Sequence, residues 1–252
     1  MTSKPFVDHV RRSFLCIAAS VLAVVALAAQ PHVALAQTTG SPLKIGIVGA
    51  GREGSALGTL FVNAGHRVTF SSRHPEELKG LVAGLGPLAQ AGTVEEAIAF
   101  GDVVLIVIPY AAMEQIGKAH AAALAQKVLV IDVSNPIARR DGEAFVKSVG
   151  DQGGAGLVTA KFLPGAHIVR AFNAIGSGKL AELAHRAGEP VGVPIAGDDP
   201  QAIAVAESLI REIGFEPVLV GGLAMGRYLV PGTPLAGEHT AAQIRQIAGG
   251  LH

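Results

Sequence analysis

Residues 43–70 restrict the fold of this chain more than any other stretch. Leu43-Lys44-Ile45-Gly46-Ile47-Val48 reads as a buried strand, because its apolar residues are largely β-branched. It passes directly into Gly49-Ala50-Gly51-Arg52-Glu53-Gly54, a G-x-G-x-x-G. Residues 55–62 have helical character and end near Gly65, and Arg67-Val68-Thr69-Phe70 reads as a second strand. Strand, glycine turn, helix and strand in that order are the context in which this motif holds a dinucleotide. Gly49 allows the tight turn, Gly51 lets backbone approach a pyrophosphate, and Gly54 lets the helix pack closely on the strand. The helix N-terminus then offers unpaired N–H groups and the positive end of its dipole to phosphates. The alternative is a glycine-rich turn without a ligand.

The end of the second strand bears on which dinucleotide. NAD sites commonly place an acid there for the ribose 2′-hydroxyl. This chain has Ser71-Ser72-Arg73-His74-Pro75, and its first acid is Glu76. A hydroxyl followed by a guanidinium suits a 2′-phosphate, so Ser72 and Arg73 point to NADP, with Ser71 and His74 as accessories. Otherwise Arg73 is a solvated loop charge.

Composition agrees with an α/β fold. Of 252 residues half are hydrophobic and 16% charged, the formal net charge is zero, and there are 32 glycines but no tryptophan. The apolar fraction excludes wholesale disorder, and the neutral balance gives no support to nucleic-acid binding. Residues 102–108, 127–132, 167–171, 191–196 and 216–220 are further apolar runs, and short helices are predicted from Pro75 and behind a Thr93 cap. Near-continuous Val/Ile strands alternating with helices predict a doubly wound parallel sheet covered on both faces. Residues 150–156 are glycine-rich and read as a loop.

The N-terminus reads as an address. Lys4, Arg11 and Arg12 precede an uncharged apolar run over residues 14–29, and Ala34-Leu35-Ala36 is a small-x-small cleavage site. Arg11-Arg12-Ser13-Phe14-Leu15 resembles a twin-arginine signal, which predicts a periplasmic protein; an ordinary secretory signal and an uncleaved anchor are the alternatives. The expected division is residues 1–36 as signal peptide, 37–42 as linker, 43–235 as the nucleotide-binding domain and 236–252 as a tail. The one cysteine, Cys16, falls in the signal, so the mature chain has no thiolate chemistry. The membrane enters through this export signal alone.

At the residue level the chain resembles the NADP-dependent oxidoreductases typified by NADPH:deazaflavin (coenzyme F-420) oxidoreductase. It is similar too to the related cytosolic domain of six-transmembrane metalloreductases. The resemblance rests on residues 44–51, Gly65-His66-Arg67-Val68, Ser72-Arg73, Asp132-Val133-Ser134-Asn135-Pro136, Val169-Arg170-Ala171-Phe172-Asn173 and Ala196-Gly197-Asp198-Asp199-Pro200. It implies a single compact Rossmann-like domain with a C-terminal extension, and a homodimer. NADP(H) would lie over the strand ends, with Ser72 and Arg73 at the 2′-phosphate and Ile108-Pro109 near the nicotinamide. Asn135-Pro136 would end the next strand on that edge. Phe172-Asn173-Ala174-Ile175 would line the place where the nicotinamide meets a second planar ring, a flavin or deazaflavin co-substrate. Each has a plainer alternative: Asn135-Pro136 as a turn, Asn173 as a helix cap, Ile108-Pro109 as a strand end. No acid–base constellation or metal-ligand spacing stands out. His66 reads as structural, His167 as a strand start, His239 as part of the tail, and Tyr228 as a packing residue.

Overall fold

The computed structural model describes residues 42–251; the stretch expected to be an export signal, the expected cleavage site and Cys16 lie outside them. Eight strands form one sheet in the order β3-β2-β1-β4-β5-β6-β7-β8. They are β1 (Lys44–Val48), β2 (Arg67–Ser71), β3 (Ala89–Gly92), β4 (Val103–Ile106), β5 (Leu129–Asp132), β6 (Ile168–Arg170), β7 (Gly192–Gly197) and β8 (Glu216–Gly221). Every strand of β4 to β7 is buried throughout, which explains why those runs carry no polar alternation.

Helices cover both faces of this Rossmann-like sheet. Side chains alternate along each strand, so Ile45, Ile47, Leu105 and Ile131 pack on one side with Leu57 and Phe61 of α1 (Arg52–Asn63). Val48, Val104, Ile106 and Val130 pack on the other side. They meet Ile98 of α3 (Val94–Phe100) and Met113 and Leu124 of α4 (Met113–Leu124). The Thr93 cap forms as expected, in a capping box with Glu96. The helix predicted at Pro75 begins as a 3-10 turn, Pro75–Leu78, before α2 (Lys79–Leu85).

Three expectations need correcting. The sheet is not wholly parallel: β7 runs antiparallel to β6, joined by the two register pairs Val169↔Gly197 and Arg170↔Ala196, while β8 runs parallel to β7. Apolar runs encode burial but not direction. Residues 150–156 are not all loop: α6 (Glu143–Asp151) ends there, Gly153 and Gly154 turn with φ of +94° and +95°, and α7 (Ala155–Phe162) begins. The described part of the expected tail, residues 236–251, carries a helix, numbered α10 (Ala241–Ala248) after α5 (Ala138–Asp141), α8 (Ser177–Leu183) and α9 (Pro200–Glu212). Its Ile244 is fully buried in a cluster with Val218, Leu229 and Leu235, because the stripe Ala241, Ile244, Ile247 faces the β7–β8 end of the sheet. Among the described residues no helix is long and apolar enough to cross a membrane.

Candidate functional site

Strand order reverses between β1 and β4, since the chain leaves β1 toward β2 and returns to pair β4 on the other side. Ligands of open α/β sheets bind beyond the carboxyl ends of such strands. A cleft opens there in two parts that share Gly51, Val107, Ile108 and Pro109. One part, about 700 Å³, is lined by Gly49, Ser72 and Arg73. The other, about 550 Å³, is lined by Arg52, Glu53, Gly54, Asn135, Asn173, Ala174 and Ile175. Thirteen of the residues singled out in the sequence thus line one continuous edge, and the accessory His74 does not.

The glycine turn has distinct demands at each position. Gly49 has φ +100°, and a Cβ on it would stand 2.3 Å from the Val107 carbonyl oxygen. A Cβ on Gly54 would stand 2.1 Å from the Gly49 oxygen. A Cβ on Gly51 would meet nothing within 4 Å, since this residue faces the open cleft. Gly51 is the N-cap of α1 and gives no side-chain cap bond, so the first-turn N–H groups keep their donors for a ligand. The turn is pinned by Ala50 N–H to Ser71 O (2.8 Å), Ser55 Oγ to Ala50 O (2.9 Å) and Ser71 Oγ to Ile47 O (2.8 Å). Ser71, read as an accessory, is committed to that buried bond. Ser72 Oγ accepts from the His74 N–H at 3.1 Å, which leaves its own hydrogen to donate. Arg73 is exposed on the cleft rim, and His74 faces Glu76 at 3.4 Å on the surface.

At the other end the cleft floor rests on a buried ion pair. Asp132 and Arg170 are register partners across β5 and β6, their side chains are bonded, and neither is exposed. Asp132 also accepts from the Ser134 N–H (2.8 Å) and the Thr159 hydroxyl (2.8 Å). Arg170 Nη2 donates to Ser134 O (3.1 Å) and Asn135 Oδ1 (3.3 Å). Asn135 Nδ2 in turn donates to Asn173 O at 2.9 Å, so Asn135 ties the ends of β5 and β6 together and is more than a turn residue. Asn173 does not cap a helix: α8 starts at Ser177 with Gly176 as its N-cap. Its Nδ2 donates instead to Asp132 O (3.1 Å) and Ser134 O (3.3 Å).

Several lining residues escaped the sequence reading. Arg140 reaches the cleft through Asn135 O (2.5 Å), and Gln115 and His120 line it from α4. Pro231, Gly232 and Ala236 close it from the C-terminal part, where Gly237 N–H donates to Ala174 O at 2.9 Å. Arg170, which supports the lining without belonging to it, stands in the sequence as a lone cation inside an apolar strand. His66, His167 and His239 do not line the cleft. His66 accepts from Leu43 N–H (3.1 Å) and meets Glu212 (2.8 Å), a structural role as expected. His167 pairs with Asp199, and His239 Nε2 lies 3.2 Å from Ala236 O. Tyr228 lies under the Arg227 guanidinium, 5.3 Å from ring centre to cation. Among the described residues no group of three or more His, Cys, Asp or Glu could hold a metal.

Glu53 is the unusual acid of the site. Burial pushes its carboxyl from an ordinary 4.5 up to about 7, partly offset by the Ser177 N–H that it accepts. A carboxyl that holds its proton more tightly folded than unfolded weakens the fold as pH rises from about 4.5 to about 7, and the full penalty stands above that window. Glu53→Gln should therefore melt like the parent at pH 4 and at progressively higher temperature than the parent up to pH 7, with a constant gap beyond. Melting curves across pH check this; a gap independent of pH would contradict it.

Comparison with known proteins follows the same lines. Residues 44–136 match the family described as NADP oxidoreductase, coenzyme F420-dependent. Over 199 residues, 77% of this chain, it is 31% identical to metalloreductase STEAP3 of Rattus norvegicus and spans 37% of that protein's length. A hypothetical protein of Sinorhizobium meliloti has a similar crystal structure, with a TM-score of 0.64 at 25% identity over 79% of this chain and 96% of that one. So does a putative F420-dependent NADP reductase from Arthrobacter, with a TM-score of 0.63 at 21% identity, covering 73% and 87%.

Proposed function

We propose that this chain is an NADP(H)-dependent oxidoreductase that passes hydride between the nicotinamide ring and a planar redox partner. The observation that carries the reading is a single cleft at the strand-order reversal, running from Arg73 past an uncapped helix N-terminus to Asn135 and Asn173. The family description of residues 44–136 supports it.

The residues present fit the nucleotide. Gly51 leaves room for a pyrophosphate against the α1 N–H groups, Ser72 and Arg73 suit a 2′-phosphate, and Ile108, Pro109, Ala174 and Ile175 give flat apolar walls. The bound nucleotide supplies the hydride. The chain positions it and excludes water, which accounts for most of the catalysis such a transfer requires. Asn135, held by Arg170 and Asn173, stiffens the wall against which the ring would lie. A deazaflavin or flavin is the acceptor we favour. A second reading, reduction of a ferric chelate, is supported by the 31% identity to a metalloreductase.

The test has two stages. Arg73→Ala should weaken NADPH binding about 10- to 100-fold, the worth of one charge-assisted contact, and change NADH binding less than about threefold. Equal losses for both nucleotides would refute the NADP assignment. The purified protein is then offered NADPH with a deazaflavin, a flavin, a quinone and a ferric chelate; binding without oxidation by any of them would make the chain a nucleotide-holding module. Twin-arginine export belongs to the same proposal. Arg11-Arg12-Ser13-Phe14-Leu15 supports it, and loading before export predicts nucleotide mass on protein recovered from a periplasm.

A further inference from the structure

The two ends of the cleft differ in how firmly their charges and walls are held. Beside Asn173 the wall is rigid: Phe172 has φ +63°, in the left-handed region, and its ring stands edge-on to Phe215 at 5.9 Å. The Arg73 end instead carries two opposite charges that nothing holds. Arg73 and Glu77 line the same part of about 700 Å³, and both are exposed. Yet among the described residues neither makes an ion pair, with the other or with any third group.

This carboxylate is not the first acid that the sequence offers after β2. That one, Glu76, turns outward and meets His74 at 3.4 Å. Glu77 is brought to the cleft by the 3-10 turn Pro75–Leu78. Its N–H donates to His74 O at 3.1 Å, and the next residue, Leu78, is buried in the core. The turn is thus fixed on both sides of Glu77, the one acid among the described lining residues of this part. A 2′-phosphate would bring close to two negative charges into the same space. A free 2′-hydroxyl is a hydrogen-bond donor, which a carboxylate suits and a guanidinium does not. Arg73 and Glu77 therefore favour different nucleotides.

Resting on the proposed function, we propose that Glu77 is a specificity-determining residue that opens the cleft to NAD(H) as well as NADP(H). Its carboxylate accepts the ribose 2′-hydroxyl of NAD(H) and repels the 2′-phosphate of NADP(H). Magnitudes set how far this goes. The Arg73 contact favours the phosphate about 10- to 100-fold. An exposed charge is worth about fivefold, so Glu77, acting in opposite senses on the two nucleotides, offsets about 25-fold of that. The two affinities should then lie within about tenfold of each other.

NADPH and NADH are titrated separately into the parent, Glu77→Ala and Glu77→Gln, with nucleotide fluorescence as the signal. Glu77 is exposed, so neither substitution threatens the fold. Glu77→Ala should bind NADPH about fivefold more tightly than the parent and NADH about fivefold more weakly. Glu77→Gln should show the same gain for NADPH, because the charge is gone. It should keep NADH within about twofold of the parent, because its amide oxygen still accepts the hydroxyl. The gain for NADPH should shrink in about 1 M salt, where exposed charges are screened. A residue that merely shapes the turn would shift both nucleotides in the same sense. Shifts of one sign, or none, would overturn the assignment, as would a parent whose two affinities differ by more than about tenfold. A parent that binds neither nucleotide would remove the proposed function itself, a result distinct from these.

Discussion

Asp132→Ala and Arg170→Ala should each cost about 3–5 kcal/mol of folding stability, because either change strands the surviving charge in a site with no exposure to water. Domains of this kind are stable by about 5–15 kcal/mol in total, so the variants should unfold at far lower denaturant. The loss extends past the pair. Asp132 also holds Ser134 N–H and the Thr159 hydroxyl, and Arg170 holds Asn135. Replacing both partners together by apolar residues of similar volume should recover much of the loss, since two desolvation penalties vanish with the attraction. Urea unfolding of the singles and the double checks this. Single variants within 1 kcal/mol of the parent would show that the pair carries little.

The glycine turn should separate binding from folding. Gly51→Val should lose NADP(H) affinity on the order of 100-fold, as a side chain would fill the space at the helix N-terminus. It should cost only about 1 kcal/mol of stability, the difference between valine and glycine at an N-cap. Its φ of −71° suits any residue, and a Cβ there touches nothing. Gly54→Ala is the opposite case. Its Cβ would press on the Gly49 carbonyl at 2.1 Å, forcing α1 off β1 at a cost of about 3 kcal/mol. Thermal melts and nucleotide titration of the two variants, side by side, should give opposite patterns. A Gly51→Val protein that binds normally would remove the pyrophosphate from this turn.

What could be read from the sequence was local. The β1–turn–α1–β2 unit, the Thr93 cap and the buried runs of β4 and β5 are each specified by consecutive residues. The cleft residues from strand ends follow from the same logic, because a strand's carboxyl end is visible wherever its apolar run stops. β3 escaped, since Ala-Gln-Ala-Gly has little strand preference and forms a strand through backbone pairing with β2. The reversed β7 escaped because direction is decided by how the chain returns, which no periodicity records. Arg140, Pro231 and Gly232 escaped for a third reason. Each reaches the cleft by a path through the folded chain, with nothing at its own position to mark it.

The left-handed residue before Asn173 has a consequence for how such a chain can change. Phe172 sits in a conformation that bulky side chains resist, clamped by Phe215. A drift toward glycine at that position would relax the backbone while releasing the aromatic clamp. Sturdiness and aim are thus in opposition at one amino acid, and selection for hardiness alone would tend to blunt the recognition of whatever ring the cleft receives.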